Sequence, residues 1–136
     1  MKVELVVTPR GMPISVLTAP ANIAEVDLAV PVVDQIPFAI PDQTPLIGDK
    51  GYDSDPLRDA MKKRGFVLIS PHRKNRRRKP TNDARRIRRY RHRWRIERTN
   101  AWIEWFRRVL VRWEYYSFMY LGFVQLANLL LAARRF

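Results

Sequence analysis

Residues 46–70 read LIGDKGYDSDPLRDAMKKRGFVLIS. Leu46–Gly48 is a short apolar run that ends at a carboxylate, Asp49, and suits a buried strand. Asp53-Ser54-Asp55-Pro56 is a helix start: side chains able to cap free N–H groups, then Pro in the first turn, where its missing N–H costs nothing. The helix runs from Leu57 to Arg64, and Gly65 stops it. Phe66–Ser70 is a second apolar run. Strand, loop, helix, loop, strand in this order predicts a βαβ unit with parallel pairing, hence an α/β fold. In open sheets of this kind sites form outside the C-terminal ends of strands, which is where Asp49 falls.

Upstream, Lys2–Thr8 carries β-branched residues with partial alternation, and Ile14–Leu17 follows Pro9-Arg10-Gly11-Met12-Pro13. That predicts a β-hairpin with a five-residue loop. Ala24–Asp34 shows Val26, Val30 and Val33 at helical spacing, with Asn22 as N-cap and Pro31 as a weak point. Downstream, Arg73–Lys79 is almost wholly basic and is expected to be exposed. Thr81 or Asn82 caps a helix expected from Asp83 to Trp113, with one break. Residues 118–133 are nearly all apolar. Sixteen residues fall short of the roughly 20 that a membrane span needs, so a buried C-terminal helix on a sheet is expected, with no membrane partner. The whole chain, 1–136, reads as one domain: a hairpin and βαβ part over 2–70, and a basic linker with C-terminal helices over 73–136.

The chain has 26 Lys+Arg against 13 Asp+Glu and no Cys. Without cysteine there is no disulfide framework, thiolate metal site or Cys nucleophile, and a cytoplasmic location fits best. The hydrophobic fraction of 46% excludes a wholly disordered basic tail. Charge is polarised: residues 1–60 carry four bases and nine acids, whereas residues 61–136 carry 22 bases and four acids. Such asymmetry points to a polyanionic partner for the second half.

Carboxylates are the only plausible catalytic groups. Asp49 stands out by its strand-end position. Glu97 stands out as one of two acids in 73–98, a stretch with 14 Lys/Arg. On spacing alone, a lone acid in a basic helix is more often a salt-bridge partner, and Arg93 lies four residues before it. A functional pairing of Asp49 with Glu97 would suit phosphoryl transfer, in which hard oxygen ligands hold Mg²⁺ or Mn²⁺ and a basic surface holds the nucleic-acid backbone. His72 and His92 share no motif. Asp53 and Asp55 are explained as helix caps. Trp94, Trp102, Trp105 and Trp113 lie among Ile96, Ile103, Phe106 and Leu110 and are expected to be mostly core.

Leu46-Ile-Gly-Asp-Lys-Gly-Tyr-Asp-Ser54 resembles the second-aspartate motif of bacterial insertion-sequence transposases of the DDE type, with Tyr52 directly after Gly51. Tyr90, Arg93 and Glu97 match that family's signature of Tyr, two residues, Arg, three residues, Glu. Arg93–Ile103, Phe106–Val109, Gly11-Met-Pro13 and Thr18–Asn22 are also similar to it. The resemblance covers essentially the whole chain. It implies a ribonuclease H-like fold and DNA transposition by metal-dependent phosphoryl transfer, with cleavage and strand transfer at insertion-sequence ends. It makes Asp49 and Glu97 catalytic and metal-binding, with two Mg²⁺ (or Mn²⁺) ions in the complete site. It implies DNA as partner, an active homo-oligomer, and a bacterial, nucleoid-associated setting. Arg73, Lys74, Arg76, Arg77, Arg78 and Lys79, with Tyr90 and Arg93, are then expected to bind DNA. The family's Lys seven residues after the Glu is replaced by Glu104.

No residue matches the family's first catalytic Asp, which lies on the first strand of the sheet. Glu4 and Asp27 are nearby acids without its motif. The expectation is therefore a domain lacking its first strand, inactive alone and completed by an upstream transposase segment. The rival reading is a non-catalytic basic DNA- or RNA-binding domain. Composition fits it equally well, and the ordered motifs around Asp49 and Glu97 weigh against it.

Overall fold

Strands β1 (Lys2–Val7) and β2 (Pro13–Ala19) form the expected hairpin in the computed structural model, which describes residues 1–136. The register pairs Lys2 with Ala19 and Leu5 with Val16, and shifts between Val6 and Val7. The turn closes through Gly11 N–H on Thr8 O and Thr8 N–H on Met12 O, both 2.8 Å. Gly11 takes φ +90°, a value that glycine reaches without steric cost. Alternation sends the hairpin's two faces to different cores. Val6 and Leu17 pack toward helix α1 (Glu25–Asp34), while Val3, Leu5 and Val16 pack toward the C-terminal helices. The hairpin is thus the middle layer of three.

Helix α1 buries Leu28, Ala29, Val32 and Val33. Pro31 lies inside it, on the solvent-facing side. Asn22 is not its cap: the N-cap is Ala24, with no side-chain hydrogen bond.

The βαβ unit forms as expected. Strand β3 (Thr44–Ile47) pairs parallel with β4 (Phe66–Ile69), Thr44 against Phe66 and Ile47 against Ile69. Between them lies α2 (Asp55–Lys63), which buries Leu57 and Met61. Ser54 caps α2, accepting from Leu57 N–H at 3.4 Å, and Gly65 stops it at φ +81°. The two strand pairs are separate sheets with no shared ladder, joined by one apolar core that includes Val32, Leu57, Met61 and Phe66.

The basic half departs from the expected single break. Asp83, not Thr81 or Asn82, caps α3 (Ala84–Tyr90). A 3-10 turn at Arg91–Arg93 leads into α4 (Trp94–Ile103), followed by α5 (Arg107–Leu110) and α6 (Ser117–Arg135). Ile103 and Val109 share one core cluster with Tyr120 and Val124. On an unbroken helix of 3.6 residues per turn they would point about 120° apart, so the chain bends at Phe106 to bury both.

Helix α6 is buried on one face only, through Tyr120, Val124, Ala127, Asn128 and Leu131. Phe118, Met119, Leu126, Leu129 and Leu130 are exposed, because the neighbours β2, α4 and α5 cover one side of a helix that is apolar all round. The expected buried helix on a sheet is thus realised on one face alone. By length and composition alone this 19-residue helix is long and apolar enough to cross a membrane. The tryptophans are corrected too. Trp102 is half-buried, but Trp94, Trp105 and Trp113 are exposed, as is Leu110.

Candidate active site and basic surface

Asp49 sits one residue beyond the last ladder bond of β3, in which Gly48 N–H meets Ile69 O at 2.9 Å. It is the N-cap of a 3-10 turn, Lys50–Tyr52, and its Oδ1 accepts from Gly51 N–H at 2.7 Å. Its carbonyl accepts from the Ser70 hydroxyl at 2.5 Å, so the ends of β3 and β4 are locked together. This is the C-terminal sheet edge expected from the βαβ reading.

Two acids that sequence reasoning left unassigned converge on Asp49. A Cβ placed on Gly51 would lie 2.5 Å from Glu25 Oε2 and 2.8 Å from Asp49 Oδ1, so the two carboxylates close on this glycine from either side and a side chain here would push them apart. Tyr52 donates its phenolic hydrogen to Glu4 Oε1. Burial raises the Glu4 carboxyl above its ordinary value. The Tyr52 hydrogen bond opposes that rise, and the charges of Glu25 and Asp49 add to it. Burial and the Glu4 charge push the Tyr52 phenol upward, so it stays protonated as a donor. Glu4 could be placed by strand alternation, on the same face as Val6. Glu25 carries no signal beyond its place in the first turn of α1.

Glu97 lies on the outer face of α4, with its side chain 56% exposed, paired with Arg93 one turn earlier. Arg93 also donates to Tyr90 Oη at 2.9 Å and stacks over that ring at 5.5 Å. The Tyr-x2-Arg-x3-Glu spacing is therefore a physical chain of contacts from the end of α3, through the 3-10 turn, into α4. Helix α4 packs on β1 and α6. Asp49 thus has Glu4, Glu25 and Tyr52 about it, while Glu97 has Arg93 and Tyr90. No group of three His, Asp or Glu side chains is arranged to hold a metal ion. These residues by themselves do not fit a complete divalent-cation site.

The basic run is tied to the same edge. Arg73 donates to the carbonyls of Lys50 at 3.3 Å and Gly51 at 3.1 Å, bracing the turn beside Asp49. Its N–H meets Asp53 Oδ2 at 2.7 Å. Asp53 also accepts from Arg58 at 2.8 Å, His72 Nδ1 at 3.0 Å and Arg76 at 3.4 Å. Burial would raise Asp53, but the hydrogen bonds from Arg73 N–H, His72 and Arg58 outweigh it and bring the carboxyl down to about 2. Asp55 takes Arg76 at 2.9 Å and Arg78 at 3.3 Å.

The expected capping role of Asp53 and Asp55 is corrected, because Ser54 caps α2 and the two aspartates bind guanidinium groups. The expected exposure of the whole run is corrected at Arg76, whose side chain is largely buried against Asp53 and Asp55. Lys74, Arg77 and Lys79 stand exposed without a side-chain partner.

The family described as "Transposase DDE domain" matches residues 1–130. A protein of Burkholderia cepacia, assigned as a transposase for insertion sequence element IS402, is 32% identical over 120 residues. That alignment takes in 83% of this chain and 53% of the relative, so the chain spans about half the length of the curated relative it matches. No solved structure matches.

Proposed function

The chain belongs to the transposase DDE domain family, and from that premise we propose that it is part of a DNA transposase, contributing Asp49 and Glu97 to a phosphoryl-transfer site at insertion-sequence ends. The observation that carries this reading is the position of Asp49. It is half-buried at the C-terminal end of a parallel strand, beside a turn braced by Arg73 and within the span that matches the family.

In this reading the fold is ribonuclease H-like, with the hairpin and the β3–β4 pair as two portions of one sheet in the complete enzyme. Divalent cations, Mg²⁺ or Mn²⁺ and two in number, would be held by Asp49 and Glu97 with a carboxylate from a further transposase segment. Such ions activate an attacking oxygen and stabilise a leaving one. This chain's own contribution is to fix Asp49 through Gly51 N–H and Ser70, and to hold the DNA backbone with Lys74, Arg77 and Lys79. The active form is an oligomer acting on DNA in the bacterial cytoplasm.

A non-catalytic DNA-binding role is the second reading, favoured by the pairing of the exposed Glu97 with Arg93, as in an ordinary surface salt bridge. Strand transfer by the complete transposase with Mg²⁺ separates the two. Asp49→Asn and Glu97→Gln are each expected to abolish transfer while leaving end binding intact. Transfer that survives both substitutions overturns the catalytic assignment.

A further inference from the structure

From Trp105 to Phe136 the chain has a single acid, Glu114, and its side chain is only 4% exposed. It accepts from Arg108 at 2.9 Å and from Trp113 N–H at 3.2 Å. Arg112 closes the same loop by donating to the carbonyls of Glu114 at 2.9 Å and Tyr115 at 2.7 Å. The Tyr120 hydroxyl donates to Val109 O at 2.9 Å beneath it. The loop between α5 and α6 is thus pinned from inside, and its aromatic residues face water. Tyr115 is 88% exposed, Phe118 70%, Trp113 68% and Tyr116 57%.

The rings are ordered relative to one another. Tyr115 meets Tyr116 edge to face at 5.2 Å, and Tyr116 stacks on Phe118 at 5.6 Å and 26°. Trp113 shares a recess with Arg107 and Arg108.

We propose that this loop is a stacking platform for single-stranded DNA, taking bases on Trp113, Tyr115 and Phe118 and phosphate on Arg107. The inference rests on the DNA-handling function proposed above and names the strand form this surface takes. A surface of π faces and guanidinium groups whose own loop carboxylate, Glu114, is buried complements a polyanion whose bases are unstacked. A duplex keeps those faces inside its own stack. A second copy of the chain would bring like charge against like. Because the loop is pinned before any ligand arrives, little ordering cost opposes binding.

The test is fluorescence anisotropy of the 136-residue chain with a labelled 20-nucleotide oligo-dT and with a 20-base-pair duplex. Trp113→Ala and Tyr115→Ala are each expected to weaken single-strand binding by about ten-fold and to leave duplex binding within about two-fold. Tyr115→Phe, which keeps the ring, is expected to retain affinity, and circular dichroism verifies folding. Equal losses on both strand forms, or no loss on the single strand, overturn the platform while leaving the transposase reading intact. So does a shift from dimer to monomer in the alanine variants with single-strand affinity unchanged. Binding of neither form by the unmodified chain overturns the platform as well, and the transposase reading is then decided separately by strand transfer of the complete transposase.

Discussion

Tyr52, in the turn after β3, donates its hydroxyl hydrogen to Glu4 on β1. The contact joins two sheets that share no backbone ladder. Removing the hydroxyl leaves the Glu4 carboxyl partly buried without its donor. Tyr52→Phe is expected to lower stability by about 1–2 kcal/mol in urea titration. Glu4, its pKa raised by burial, binds its proton more tightly folded than unfolded. Its stabilising contribution is therefore full below the unfolded value of about 4.3 and is lost as pH rises through the folded one. Glu4→Gln is expected to flatten that part of the stability–pH curve.

Asp53 has the opposite sign. Its folded carboxyl lies at about 2, so its contribution is present above the unfolded value and is lost as pH falls through the folded one. Thermal unfolding between pH 5 and pH 2 is expected to show a loss on the order of 2 kcal/mol, absent in Asp53→Asn. The same substitution removes the charge that Arg58 and Arg76 share at Asp53 and leaves Arg76 paired with Asp55 alone, so trypsin is expected to cleave the 73–79 segment faster.

Arg76 and Arg77 are adjacent in sequence but differ in role. Arg76 is taken up by Asp53 and Asp55, whereas Arg77 faces solvent. Arg77→Ala is expected to weaken duplex binding uniformly across sequences and to reduce the salt slope by about one. Arg76→Ala is expected to lower the melting temperature instead. Equal slopes for the two variants would contradict the division of labour.

Gly11 couples the hairpin to α4. Thr99 donates to its carbonyl at 2.7 Å, and a Cβ there would meet Arg98 Nη2 at 2.9 Å and Thr99 Oγ1 at 3.0 Å, with φ at +90°. Gly11→Ala is expected to cost about 2 kcal/mol, read by chemical denaturation.

Asn128 turns its amide into the core of α6, and neither Nδ2 nor Oδ1 finds a partner. An unsatisfied buried amide costs about 1–3 kcal/mol. Asn128→Leu is expected to raise the melting temperature, and a fall would show that the amide has an unrecognised partner.

The sequence by itself determined the elements that local chemistry dictates. Gly11 and the prolines about it forced the hairpin turn. Ser54, Pro56 and Gly65 bounded α2, and two apolar runs around it required a parallel pair with Asp49 at its end. The Tyr90, Arg93 and Glu97 spacing, with the Asp49 motif, marked the family. Only the tertiary structure decided how these pieces meet. Glu4 and Glu25 reach Asp49 because β1 and α1 pack beside the β3 turn, and no spacing encodes that approach. Arg76 lost its place among the exposed bases because Asp53, twenty-three residues away, lies where the chain returns. Apolar composition at 105–130 stated a preference for burial, but β2, α4 and α5 offer one face to α6. Which aromatics stay in water was therefore settled by the area available to cover them, a property of the packed molecule and not of any segment.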